Sequence, residues 1–126
     1  MKMLAAVALG GALGAVGRYL VMSAVALWFG LSFPWGTLIV NVVGSFAMGA
    51  LVEISALVWS PSPELRALLA IGVLGAFTTF STFSLDVAAL IGRGAHAAAG
   101  AYIALSVVLS IAAFFAGLHL FRSLLG

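Results

Sequence analysis

The stretch Gly72-Val73-Leu74-Gly75-Ala76-Phe77-Thr78-Thr79-Phe80-Ser81-Thr82-Phe83-Ser84 lies at the centre of a long apolar run from Arg66 to Ile91. No charged side chain occurs between Arg66 and Asp86. A run of that length and character reads as a membrane span. Its middle is unusual, because two glycines precede a succession of Thr, Phe and Ser. Glycine lowers helix propensity, and hydroxyls compete with the helix for backbone hydrogen bonds. The reading predicts a helix that breaks at mid-membrane depth. Non-helical backbone there is tolerated only where it is buried in protein or lines a cavity, and its carbonyls and amides can coordinate an ion. Phe80 and Phe83, three residues apart, share a helix face. An aromatic pair in a span is commonly packing, but the electropositive ring edge also suits contact with an anion.

Working outward, the rest of the chain has the same character. Of 126 residues, 65% are hydrophobic and 6% charged, and the mean hydropathy is +1.33. A soluble domain of this size cannot bury so much apolar surface. The few breakers divide the chain into spans over about 3–29, 37–59, 66–91 and 96–120, at the roughly 20–25 residues each that crossing a bilayer needs. Between them lie Gly30 to Gly36 with its aromatic flank, the loop Ser60-Pro61-Ser62-Pro63-Glu64, and the turn Gly92-Arg93-Gly94. The prolines and serines of the loop suit a helix start near Glu64. Without period-two alternation, helices are preferred to barrel strands. The fold class is therefore an all-α integral membrane protein, one four-helix transmembrane domain over residues 1–126, its third helix broken.

Other classes fall away. Five Lys/Arg against three Asp/Glu give a pI near 9.7, but no basic run offers a footprint for nucleic acid. The absence of cysteine removes disulfides and thiolate chemistry. His96 and His119 stand far apart without a third ligand at metal spacing. No room remains for a soluble catalytic domain, so an enzyme is not expected. Lys2 before an apolar run loosely fits a signal peptide, but the run is too long and continues past Arg18 to Trp28. Gly10, Gly11, Gly14 and Gly17 mimic a dinucleotide loop but lack its βαβ unit, and Gly10-x-x-x-Gly14 reads as close helix packing instead.

Polar residues inside the spans form stripes. The second span carries Thr37, Asn41, Ser45, Gly49 and Glu53 at intervals of four, hence on one face. The fourth carries Tyr102, Ser106 and Ser110 at the same interval, and the first aligns Gly10, Gly14 and Arg18. Interhelical glue is the plain reading of such residues. Two parallel stripes and an intramembrane arginine favour a water-lined path. Glu53, near the end of its span, reads as a side chain snorkelling to the interface.

Asn41-Val42-Val43-Gly44-Ser45-Phe46, the glycine-rich segment ending at Arg18, and above all Gly75-Ala76-Phe77-Thr78-Thr79-Phe80-Ser81-Thr82-Phe83-Ser84 resemble the Fluc (CrcB) fluoride channels. The likeness covers nearly the whole chain. It implies a fluoride-selective channel of the cell inner membrane that exports fluoride passively and confers fluoride resistance. It also implies an antiparallel, dual-topology homodimer with two pores and a structural sodium ion at the interface. By the same resemblance, the sodium ligands correspond to the backbone carbonyls of Gly75 and Thr78, two from each subunit. The pore residues correspond to Phe80, Phe83 and Asn41, with the hydroxyl track at Ser106, Ser110 and Tyr102. The Thr82 hydroxyl is a further donor in reach of the pore, and the vestibule arginine corresponds to Arg18. The implied partners are fluoride, membrane lipid and a second copy of the chain. Asp86 sits where an acid is familiar in the family, without an assigned role.

Two other classes were weighed. A small proton-coupled multidrug exporter needs a carboxylate in the first helix, where this chain has Arg18 and no acid. A non-transporting assembly subunit would leave both stripes as glue. Basic residues near the terminal side (Lys2, Arg66, Arg122) only modestly outnumber Arg93 opposite, so the orientation bias is small.

Overall fold

A computed structural model describes all residues 1–126. The chain is helical throughout: α1 (Lys2–Phe29), α2 (Trp35–Leu57), α3 (residues 63–77), α4 (Phe80–Gly92) and α5 (His96–Leu125). Four stretches are long and apolar enough to cross a membrane, namely Lys2–Phe29, Trp35–Leu57, Pro63–Gly92 and His96–Leu125. The third comprises α3 and α4 and is the broken one.

Local sequence sets the ends. The α1 helix stops at Gly30, whose φ of 77° lies in the left-handed region that only glycine enters without strain. Pro63 occupies the first turn of α3, where its missing N–H is no loss. The Ser62 hydroxyl accepts from the Leu65 N–H at 3.1 Å, a cap worth about 1 kcal/mol. After one α-turn at Pro63–Arg66, α3 widens into a π-helix at Ala67–Leu74 and closes with Gly75–Phe77. Such wide turns are rare and cluster at functional sites. Nothing in the apolar sequence ALLAIGVL announces it.

The bundle is assembled on glycines. Gly10 and Gly14 of α1 lie against the backbone of α3, and a Cβ on Gly72 would come within 2.7 Å of the Gly10 Cα. Gly49 of α2 abuts the Phe114 carbonyl, and Gly117 of α5 abuts the Phe46 carbonyl. Lipid supplies no hydrophobic drive between helices, so close backbone approach and its van der Waals contact hold them together. The paired residues on α2 and α5 rise together along the sequence, so these helices run parallel.

Two further devices lock the ends. Near the Gly30 turn, Leu38, Phe83, Leu90, Ala99 and Tyr102 form a small core that seats α4 between α2 and α5. There Arg93 Nη2 also donates to the Ser32 carbonyl at 2.8 Å, joining two turns. At the opposite end Glu53 does not snorkel: it is 4% exposed. Arg122 reaches it with two hydrogen bonds, Nε to Oε1 at 2.9 Å and Nη2 to Oε2 at 3.2 Å. A carboxylate in an apolar setting needs such a partner, and the parallel register of α2 and α5 supplies one. Elsewhere the surface is strongly apolar, as expected of helices that face lipid or another copy.

Candidate functional site

The break consists of two extended residues, Thr78 (φ −87°, ψ 157°) and Thr79 (φ −153°, ψ 124°). Thr78 ends α3: its N–H and its hydroxyl both donate to the Leu74 carbonyl, at 3.1 and 3.0 Å. Thr79 starts α4, its hydroxyl accepting from the Thr82 N–H at 3.2 Å. Side chains of two other helices hold the exposed backbone between. Asn41 Oδ1 accepts from the Thr79 N–H at 2.8 Å, and Asn41 Nδ2 donates to the Thr79 carbonyl at 3.0 Å. The carboxamide thus pairs with Thr79 as a neighbouring strand would, which leaves one N–H of Nδ2 free. From α1, Arg18 Nε donates to the Ala76 carbonyl at 3.1 Å, where the negative end of the α3 dipole favours a cation.

This arrangement leaves particular carbonyls unclaimed. In a continuous helix the Thr79 N–H would close on the Gly75 carbonyl, but it is taken by Asn41. The Thr78 carbonyl accepts no backbone hydrogen bond. Gly75 is exposed, and its only neighbour for an added Cβ is the Ala70 carbonyl at 3.4 Å. Freed backbone carbonyls at a helix break are the kind of hard oxygen donor that binds sodium, so the residues present fit such an ion.

Beside the break, α2, α4 and α5 enclose an open pocket of about 320 Å³. Its polar lining is Asn41 and Ser45 from α2, Thr78 and Thr79 from the break, and Ser106 and Ser110 from α5. Phe80, Phe83, Val107 and Ile111 complete it, and no ionised side chain enters. The Ser106 hydroxyl is buried without a hydrogen-bond partner. None of the side-chain hydrogen bonds involves Ser45 or Ser110. A buried polar atom left unpaired is costly, so such a lining is made to be completed by a guest or by water. The positive end of the α4 dipole opens into the same pocket.

The residues singled out from sequence divide into two groups. Asn41, Thr78, Phe80, Phe83, Ser106 and Ser110 meet at this pocket. Tyr102 and Thr82 do not line it. The Tyr102 hydroxyl donates to Asp86 Oδ2 at 2.9 Å, and the ring packs 5.1 Å from Phe83 and edge-on to Phe33. Asp86 thereby gains a partner that the sequence did not reveal. Arg18 lies at a separate shallow pocket with Tyr19 and Met22. Thr79 and Ser45 are the residues that sequence reasoning left unassigned. Thr79 bears an N-cap signal, a threonine directly before the helical residue Phe80, and Ser45 stands four residues after Asn41 on the same stripe.

The family model described as "CrcB-like protein, Camphor Resistance (CrcB)" matches residues 5–118. The chain belongs to the CrcB-like family. Relatives within it cover almost the entire length of this CrcB-like chain. A protein of Rhodospirillum centenum is 59% identical over 98% of both chains. One of Chelativorans sp. is 60% identical over 94% of this chain and 95% of its own. One of Agrobacterium fabrum is 54% identical over 96% and 97%. Each is named "Fluoride-specific ion channel FluC". With its four apolar helices, this CrcB-like chain is a multi-pass membrane protein.

Proposed function

We propose that this protein is a passive, fluoride-selective channel of the cell inner membrane, acting as an antiparallel homodimer with two pores. The observation that carries the reading is the pocket beside the break, lined by hydrogen-bond donors that the protein itself leaves unused. The names of the relatives agree with it.

Fluoride is small and strongly hydrated, so a pore must replace the hydrogen bonds of the water it sheds. The free N–H of Asn41 and the hydroxyls of Ser106 and Ser110 donate to the ion. The edges of Phe80 and Phe83 add weak positive potential without a competing acceptor. Thr82 and Tyr102 prolong the polar route on either side, and Arg18 concentrates anions at the mouth. A narrow passage excludes larger halides. The negative cell interior drives the anion outward, with about 2.3 kcal/mol per charge per 100 mV.

A second copy closes the pocket on its open side, where Phe80 is 75% exposed. Gly75 and Thr78 of both copies hold the sodium through their carbonyls. The ion supplies positive charge that fixes the carbonyl dipoles of the break. Purified protein in liposomes, read with a fluoride electrode, is expected to release fluoride but retain chloride. Release no faster than from protein-free vesicles would overturn the reading.

A further inference from the structure

We infer that Ser45 is a further ion-contacting residue of this pathway, donating its hydroxyl to fluoride one helical turn beyond Asn41. The inference rests on the channel reading above and adds a ligand to it.

Three observations support it. Ser45 lines the same pocket as Asn41, Ser106 and Ser110. Its hydroxyl is also unspent. A helical serine or threonine commonly bonds back to the carbonyl four residues earlier. Thr78 does so to Leu74 and Ser84 to Phe80, whereas Ser45 makes no such bond to Asn41.

The third observation concerns register. Because α2 and α5 run parallel, their polar stripes advance in the same direction, about 5.4 Å per turn. On α5 the stripe stops: the position four beyond Ser110 is Phe114, whose carbonyl faces Gly49. On α2 the stripe continues from Asn41 to Ser45, just before that contact. Where α5 stops offering hydroxyls, Ser45 is the remaining donor. An anion leaving Asn41 toward the Glu53–Arg122 end would otherwise meet only apolar wall, with nothing to replace its water.

The test compares Ser45→Ala, which keeps the Cβ and removes the hydroxyl, with Ser45→Thr, which keeps the hydroxyl. Fluoride release from liposomes is measured beside size-exclusion elution in detergent. Both variants are expected to elute as wild type. Ser45→Ala should pass fluoride about tenfold more slowly, equal to about 1.4 kcal/mol at the barrier. Ser45→Thr should stay within about threefold of wild type. Wild-type flux through Ser45→Ala overturns the assignment, and so does a Ser45→Thr protein as slow as the alanine variant. A wild-type protein that passes no fluoride sinks the channel reading instead, so the two failures are told apart.

Discussion

Phe80 and Phe83 stand three residues apart on α4, with ring centroids 5.3 Å apart, yet their surroundings differ. Phe83 is 8% exposed and belongs to the core with Leu38, Leu90, Ala99 and Tyr102. Phe80 projects from the rim of the pocket with little of its own chain around it. Replacing each by Leu therefore separates packing from ion contact. Phe80→Leu is expected to leave thermal stability in detergent unchanged while flux falls by orders of magnitude, since an aliphatic group keeps bulk and loses the positive edge. Phe83→Leu should lower flux similarly and also destabilise the protein by about 1 kcal/mol, the usual scale for a volume-conserving core swap. Undiminished fluoride flux through both variants would return the pair to a packing role.

At the scale of the helix, the Glu53–Arg122 bond ties α2 to α5 where their glycine contacts end. Removing Arg122 leaves a carboxylate in apolar surroundings without a partner, which is worse than removing both charges. Arg122→Ala is thus expected to melt at a lower temperature than wild type, and the double variant Glu53→Gln with Arg122→Ala to recover part of that loss. A double variant less stable than the single one would count against the pairing. This bond also marks where sequence reading stops. Intervals of four residues placed Asn41, Ser106 and Ser110 on inward stripes, because helical periodicity is local. The glycine and hydroxyl run foretold the break for the same reason. Partners separated by dozens of residues leave no such trace: Asn41 with Thr79, Arg18 with Ala76, and Glu53 with Arg122 each depend on which helices become neighbours and in what register. The Tyr102 hydroxyl was expected to point along the ion route, but Asp86, sixteen residues earlier, takes its proton.

For the whole molecule, Gly75 is the informative position. Its own chain leaves room for a side chain, since an added Cβ meets only ordinary contact with the Ala70 carbonyl. If a second copy packs across the break, the constraint on Gly75 comes from that copy and its shared ion. Gly75→Val is expected to keep its helical circular dichroism but elute as a monomer in detergent. A normal dimer with normal flux would remove Gly75 from the interface. The wide turn at Ala67–Leu74 bears on how such a chain can vary in length. Each π-turn holds one residue more than an α-turn. Losing a single residue there would let the helix tighten to α-geometry and rotate everything after it by about 100° relative to α1. The Thr79 backbone would then swing away from Asn41, and the Ala76 carbonyl away from Arg18. Insertions and deletions should therefore be confined to the loop at Ser60–Ser62 and to the chain ends, while the interval from Ala67 to Thr79 keeps a constant number of residues.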